Sequence, residues 1–561
     1  MAGAGDGSRA APARASGKIR AHVSETPPTE EALDGAVAET AHRRRLARST
    51  AVFAAATGLS RILGLVREIV ARRYFGVEGA GINAFTAAFQ VPNLVRSLVA
   101  DQALTAAFVP IFSELLEKGE RARAWRVAST LFWLLLLVLG ALTALFMLAA
   151  PLVMGLFGFE GEQQDLAVTL SQILFPIVAL LGVSGVIVGI LNSYEEFTIP
   201  ALTPVAWNLV IIAGLVIGVP QTDSTTTALY VYAGAILVGT VVQVLLPVPW
   251  LYGLDGRLRL ALDWRDPMVK RVLVLMLPVT LGLGLINFNQ VIGTVFASRL
   301  IDPTLSPAAI DAAFRVYMLP QGIFSVAVAT VLFPSLSRLS TREDWAGFRA
   351  AVSLGLRQIA FMLVPASALC AVLADPIVRL LYQRGEFGPD QTTVVAAALA
   401  AFSLGLTFNG FMLMLNRAFF SLQQPWLPTL VAVGNLVLNT LLYFAFYRLG
   451  TWGIPLAISV ANVAASAALF VLLRRRLGRI DFGAILSTLV RVTVASAVMA
   501  AAAYGVWRGL DELLGRGVLM QAISLLTALL AAAVVYVLAA RALGVRELEA
   551  LLALRRRRGA Q

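Results

Sequence analysis

Roughly fourteen apolar segments of about twenty residues or more run through this 561-residue chain, each long enough to cross a bilayer core of about 30 Å as a helix. They fall near 49–75, 81–114, 125–157, 166–193, 199–219, 227–252, 269–299, 307–338, 347–380, 391–420, 427–447, 453–473, 485–507 and 518–542. In lipid a backbone must satisfy its own hydrogen bonds, and isolated segments of this length do so as α-helices. Only 14% of the residues are charged, against roughly 25% in soluble domains. The chain reads as an all-α polytopic membrane protein.

Residues 1–46 are rich in Ala, Gly, Ser, Pro, Glu and Arg and lack an apolar core. They read as a disordered cytoplasmic tail rather than a signal peptide, since no apolar stretch precedes a cleavage site. The net charge of +12 lies mainly in short loops and at the termini. It therefore reads as positive charge retained on the cytoplasmic side, not as a nucleic-acid footprint. "EKGERARAWR" (Glu117 to Arg126), "DGRLRLALDWRDPMVKR" (Asp255 to Arg271), "SRLSTRED" (Ser337 to Asp344), "RRRLGR" (Arg474 to Arg479) and the closing "RRRR" (Arg555 to Arg558) fall on that side. The opposite loops "GFEGEQQD" (Gly158 to Asp165) and "VPQTDSTTT" (Val219 to Thr227) contain no Lys or Arg. Both termini are expected in the cytoplasm, and only Arg379, Arg384, Arg508 and Arg516 blur the alternation.

An internal echo divides the spans. Pro110, Ser113 and Leu115 correspond to Pro334, Ser337 and Leu339 at a constant offset of 224 residues. In each copy a Pro-bearing helix ends in a charged loop, and a Trp opens the next helix. Two six-helix lobes, 47–255 and 256–479, are predicted, related by a pseudo-two-fold along the membrane normal around a central cavity. Two further spans occupy 480–545, and 546–561 is a basic cytoplasmic tail.

His22 and His42 both lie in the N-terminal tail, and Cys370 is the single cysteine. A zinc site or a His-based triad in the membrane is implausible on those numbers. No Gly-rich phosphate loop is present, and the chain reads as a non-enzyme. Arg61, Arg67, Arg96 and Arg315 are embedded in predicted spans, where an arginine at the helix centre costs about 2.5–3.5 kcal/mol on insertion scales. Nearby carboxylates are few: Glu68, Asp101 and Asp311. The excess of guanidinium groups predicts an electropositive cavity for an anion, most plausibly a phosphate or diphosphate, which guanidinium binds bidentately. Arg61, Glu68 and Arg72 share one helical stripe, while Arg67 sits about 120° from Arg61. One of the pair Arg61 and Arg67 is therefore expected to be held in reserve by Glu68, with Arg72 and Arg73 forming a snorkelling collar at the outer interface. Asn435 and Asn439, four apart, either hydrogen-bond a neighbouring helix or coordinate a monovalent cation. Asn287, Asn289 and Gln290 carry the same two readings, helix bonding or cavity lining.

"SRILGLVREIVARRYFG", "AFTAAFQVPNLVRSLVADQALTAAFVPIFSE", "VATVLFPSLSRL", "LYQRGEFGPD" and "LNRAFFSLQQPWLPTLVAVGNLVLN" together resemble the bacterial lipid II flippase (MurJ, or MviN) family, in order from about residue 48 to 545. The resemblance implies a fold of the multidrug/oligosaccharidyl-lipid/polysaccharide (MOP) exporter type, with spans 13 and 14 forming a groove for the lipid tail. It implies transfer of lipid II, the undecaprenyl-pyrophosphate disaccharide pentapeptide, from the inner to the outer leaflet of the bacterial plasma membrane. The matching substrate-binding set is Arg61, Arg67, Arg96, Arg315, Asp101, Glu68 and Asn93. Asp101 stands where many members have Glu, Asn83 and Phe314 stand where acidic residues are common, and Asn439 replaces an acidic residue of a sodium site. No cofactor is implied; membrane potential or a monovalent cation is the expected driving force. A monomer in the bilayer is expected, with cell-wall synthesis enzymes as candidate partners. The alternatives are an exporter of another polyprenyl-pyrophosphate-linked glycan and a membrane scaffold for those enzymes.

Overall fold

Pro176 opens a helix where the predicted span 166–193 is jointed, while Pro110 and Pro334 lie inside helices that run on through them. The computed structural model describes residues 55–99, 101–478, 481–515 and 517–549. Among them there is no strand, and the helices follow in order. α1 covers 55–75. It is followed by α2 (Ala80–Val99), α3 (Asp101–Glu117), α4 (Arg121–Gly155), α5 (Gly161–Leu174) and α6 (Pro176–Ser193). Next come α7 (Thr198–Ala213), α8 (Thr225–Leu245), the short α9 (Val248–Leu251) and α10 (Pro267–Phe296). The second half adds α11 (Ser306–Pro320), α12 (Val326–Thr341), α13 (Trp345–Val372), α14 (Ala374–Tyr382), α15 (Pro389–Ser421), α16 (Trp426–Phe446) and α17 (Gly453–Leu477). α18 (Phe482–Leu514) and α19 (Val518–Ala542) close the described chain.

Eleven membrane-length apolar helices are found among the described residues. With α1, the α2–α3 pair and α10 in the three remaining predicted places, the count of fourteen is compatible with the fold. Two boundaries differ from the sequence reading. The predicted span 347–380 is two helices: α13 ends at Val372 and the amphipathic α14 begins at Ala374. Trp125 lies inside α4, which starts at Arg121, whereas Trp345 does open α13. The internal echo persists in how the helices break. The 224-residue offset carries Val99, the end of α2, onto Ile323, inside a π-helical turn at Gln321–Ser325 that joins α11 to α12. Such turns insert a residue into the helix and recur at functional positions.

Start signals are local. Asp266, Asp344 and Asp481 each cap a helix, accepting the backbone N–H of Met268, Gly347 and Ala484 at 2.7, 2.8 and 3.0 Å, and Pro267 occupies the first turn of α10. Packing between spans uses small residues, as is usual where lipid removes the hydrophobic drive between helices. A Cβ on Gly405 would fall 2.6 Å from the Cα of Ser459, so α15 and α17 meet backbone to backbone. α18 and α19 pair with each other and lean on α13 through Phe361, Met499 and Tyr536. α10 packs on α2 and α3 of the first half and on α16 of the second, so the boundary between halves runs through it.

The arginines that blur the charge alternation have internal partners. Arg379, nearly buried on α14, meets Asp511 of α18 at 2.5 Å and lies over Trp507. Arg508 pairs with Glu512 at 3.2 Å, and Arg384 donates to the Leu380 carbonyl. Arg516 lies outside the described residues.

Candidate functional site

The two halves join at the end remote from the basic loops. Asn83 is wholly buried there. Its amide nitrogen donates to the carbonyls of Val77, Gly79 and Thr304 at 3.0, 2.9 and 2.5 Å, and its oxygen accepts from Ala308 N at 2.8 Å. Gly79 N donates to Thr304 O at 2.8 Å, and Val77 N to Gln391 Oε1 at 2.8 Å. Arg299 donates to the carbonyls of Leu156 and Gly155, both at 2.7 Å, and Ser298 to Phe157 O at 2.7 Å. Glu386 N reaches Arg73 O at 3.0 Å. Gly385 makes that approach possible, because a Cβ there would lie 2.2 Å from Arg73 O. At the basic-loop end, Arg271 on α10 meets Glu114 at 3.2 Å, and Arg121 and Arg123 meet Asp255 and Asp266 of the 252–266 linker at 3.1 and 3.8 Å.

Just below the joined end sits a charged cluster. Arg72 is buried and donates through Nε to Glu68 Oε1 at 2.9 Å, and its Nη2 lies 3.0 Å from Asp311 Oδ2. Asp311 also holds Arg315, one turn further along α11, at 3.3 Å. This corrects two expectations. Arg72 is no snorkelling collar: with two carboxylates around it, burial satisfies the guanidinium better than a reach to the interface would. Glu68 is held by Arg72, not by Arg61, because the four-residue spacing brings those side chains into contact while seven residues leave them two turns apart. Arg73 is exposed.

Arg67 and Arg315 lie within electrostatic reach of Glu68, and both also act on Tyr232 of α8, so the first- and second-half arginines converge on one volume. Arg67 turns toward the first half, its guanidinium 4.7 Å from the centroid of the Trp207 ring on α7. Arg61 turns toward the second half: a Cβ on Gly322 would come 2.7 Å from its Nη1. The π-turn that carries Gly322 is fixed by Gln321, which bonds Asn409 at 2.9 Å, and Asn409 bonds the Tyr317 hydroxyl at 2.8 Å. Arg96 is exposed on α2 and donates to Asn93 Oδ1 through Nε and Nη2 at 3.1 and 2.9 Å. The Asp101 side chain lies outside those described. Arg72, Trp207 and Gly322 join the candidate set from the structure; of these only Arg72 left a trace in sequence, its spacing from Glu68.

Asn439 is wholly buried, and neither its amide nitrogen nor its oxygen has a hydrogen-bond partner among the described residues; the Asn435 oxygen is likewise unpartnered. No group of three His, Cys, Asp or Glu side chains fit to hold a metal occurs among the described residues. Asn289 accepts from the Tyr443 hydroxyl at 3.3 Å, a bond between α10 and α16.

Three guanidinium groups (Arg67, Arg72, Arg315) within reach of two carboxylates (Glu68, Asp311), with Arg61 against the π-turn at Gly322, can hold a multiply charged anion between the two halves.

Comparison with known proteins agrees in sequence and in shape. The family model described as lipid II flippase MurJ matches residues 71–520. The lipid II flippase MurJ of Burkholderia cenocepacia is 33% identical over 435 residues, covering 75% of this chain and 82% of that protein. The probable lipid II flippase MurJ of Rhizobium meliloti is 32% identical over 472 residues, 82% and 86% of the two chains. Among solved structures, a lipid II flippase MurJ in an inward closed conformation superimposes with a TM-score of 0.72 at 24% identity, covering 88% of this chain and 99% of that one. An inward-facing multidrug resistance MATE family transporter of the MOP superfamily gives 0.66 at 17% identity over 74% of this chain and 94% of that one.

Proposed function

Since the chain belongs to the lipid II flippase MurJ family, we propose that it carries lipid II across the bacterial plasma membrane by alternating access, with Arg61, Arg67, Arg96 and Arg315 holding the diphosphate. No bond is made or broken. The observation that carries the reading is the surplus of guanidinium groups over carboxylates where the halves converge. In a low-dielectric site, fixed charge-assisted donors replace the water around a diphosphate. Asn93 orients Arg96 through the two bonds its oxygen accepts. Glu68 and Asp311 limit the positive charge of the site.

In this proposal the basic loops and both termini face the cytoplasm. The headgroup enters from that side while the isoprenoid tail stays in lipid, beside the α18–α19 pair. The halves then part at the end closed by Asn83, releasing the headgroup outward. Membrane potential or a monovalent cation supplies the drive. The working unit is one chain in the plasma membrane, and cell-wall synthesis enzymes receive its product.

The test is complementation in a bacterium depleted of its own lipid II flippase. Chains bearing Arg61→Ala, Arg96→Ala or Arg315→Ala are expected to insert at native levels yet fail to support growth, with lipid II accumulating in the inner leaflet. Full complementation by all three variants would sink the arginine-cavity model.

A further inference from the structure

Asp311 serves two guanidinium groups at once, and serves them unequally. Arg72 of the first half lies 3.0 Å from Oδ2. Arg315, on Asp311's own helix, lies 3.3 Å from Oδ1 and reaches Oδ2 through Nε at 3.4 Å. The tighter contact goes to Arg72, whose side chain is 4% exposed and is also gripped by Glu68 at 2.8 Å. The Arg315 side chain is 38% exposed, so it is the one an entering anion can reach.

The three pairings differ in what they link. Arg72–Glu68 and Arg315–Asp311 are each within one helix, four residues apart, and survive any rigid movement of the halves. Arg72–Asp311 crosses from α1 to α11, close to the Gly79–Thr304, Asn83–Thr304 and Val77–Gln391 bonds that join this end. It alone must break when the halves part there.

We propose that Arg72 is a positioning residue that switches Arg315 between binding and release of the diphosphate, acting through Asp311; this rests on the alternating-access reading above. With the outer end closed, Arg72 draws Asp311 toward itself and leaves Arg315 under-neutralised, ready for the anion. When the end opens, Glu68 keeps Arg72 and Asp311 turns wholly to Arg315, displacing the diphosphate on the side from which it must leave. Every member of the quartet keeps an opposite charge in both states, so opening strands no buried ion. What changes is the competition for Arg315's N–H groups, which carboxylate and phosphate use in the same bidentate way.

The test uses the full chain in detergent and in proteoliposomes. Lipid II binding is titrated by native mass spectrometry, and opening of the outer end is read without substrate from maleimide labelling of Thr304→Cys in a Cys370→Ser background. Asp311→Asn is expected to bind lipid II more tightly, by roughly tenfold, to flip it more slowly, and to label faster at position 304. Arg72→Gln is expected to weaken binding by a similar factor, Arg72→Lys to recover most of that loss, and Arg72→Gln to have no further effect in the Asp311→Asn background. A native chain that binds lipid II while Asp311→Asn binds it no more tightly, or an Arg72→Gln loss of equal size in both backgrounds, overturns the switch. A native chain that does not bind lipid II overturns the functional reading instead.

Discussion

The Arg67 guanidinium lies over the face of Trp207, 4.7 Å from the ring centroid, while its buried Nε has no hydrogen-bond partner among the described residues. An indole face steadies a cation without neutralising it, so Arg67 keeps its charge for an anion. Such a contact is worth about 0.5–2 kcal/mol. Trp207→Ala is therefore expected to raise the lipid II dissociation constant roughly 2- to 30-fold. Trp207→Phe, which retains a π face and loses the hydrogen bond to Thr240, is expected to lie nearer the native value. Native mass spectrometry of the three chains orders them; a Phe variant as weak as Ala would assign the effect to the lost indole N–H.

Asn83 makes four hydrogen bonds, two of them into the second half. Asn83→Leu keeps the branched shape and number of heavy atoms and leaves the Ala308 N–H and three carbonyls to find other partners. Unsatisfied buried groups cost about 1–3 kcal/mol each, and water entering an opened end relieves that cost. The variant is expected to shift toward the outward-open state, seen as faster labelling of a cysteine at position 304 and a lower melting temperature. Unchanged labelling would remove Asn83 from the joint.

Much of this was legible in sequence, and the limits are physical. Apolar length gave a helix count with which the fold is compatible, while the joints fall at Val99 and at Gln321–Ser325 rather than at Pro110 or Pro334. The arginines Arg61, Arg67, Arg96 and Arg315 stood out because lipid tolerates so few. Sequence could not show that Arg72 is buried, since a chain that puts arginine four residues after Glu68 looks the same whether the pair faces water or a second carboxylate 239 residues away. Nor could it place Trp207 or Gly322, whose relation to Arg67 and Arg61 exists only once helices pack. α14 was hidden inside an apolar run, and only the packed structure shows the break at Leu373 that parts it from the membrane span before it and the pairing of Arg379 with Asp511.

Gly322 leaves the space that the Arg61 guanidinium fills. In Gly322→Ala the new methyl meets the far end of a flexible side chain, which can swing aside. The expected result is a melting temperature within a few degrees of native and a substantial loss of lipid II binding. Loss of folding with the substitution would show that the π-turn itself, rather than Arg61, needs the glycine.

At the basic-loop end, the Tyr194 hydroxyl donates to Asp255, and Trp125 Nε1 lies 3.3 Å from Tyr194 and 3.4 Å from Asp255. Burial first, then the bond to Asp255, pushes the Tyr194 phenol up to about 12. The hydrogen bond from Tyr194 chiefly holds the Asp255 carboxyl below its ordinary range. A raised phenol stabilises the fold fully below its ordinary value near 10 and loses that contribution as pH rises through 12. A depressed carboxylate does so above its ordinary range and loses it as pH falls through the folded value. The melting-temperature gap between the native chain and Tyr194→Phe is expected to be widest at intermediate pH and to shrink toward both extremes. A gap independent of pH would reduce Tyr194 to packing.

α10 touches α2 and α3 on one side and α16 on the other. A helix of 30 residues shared in this way cannot move rigidly with both halves at once, so a rocking motion must bend it or slip it at one of its two interfaces. The seam between the halves is therefore a helix rather than a gap, and the fit of α10 against α2 and α3 on one face and α16 on the other sets how freely the halves can turn.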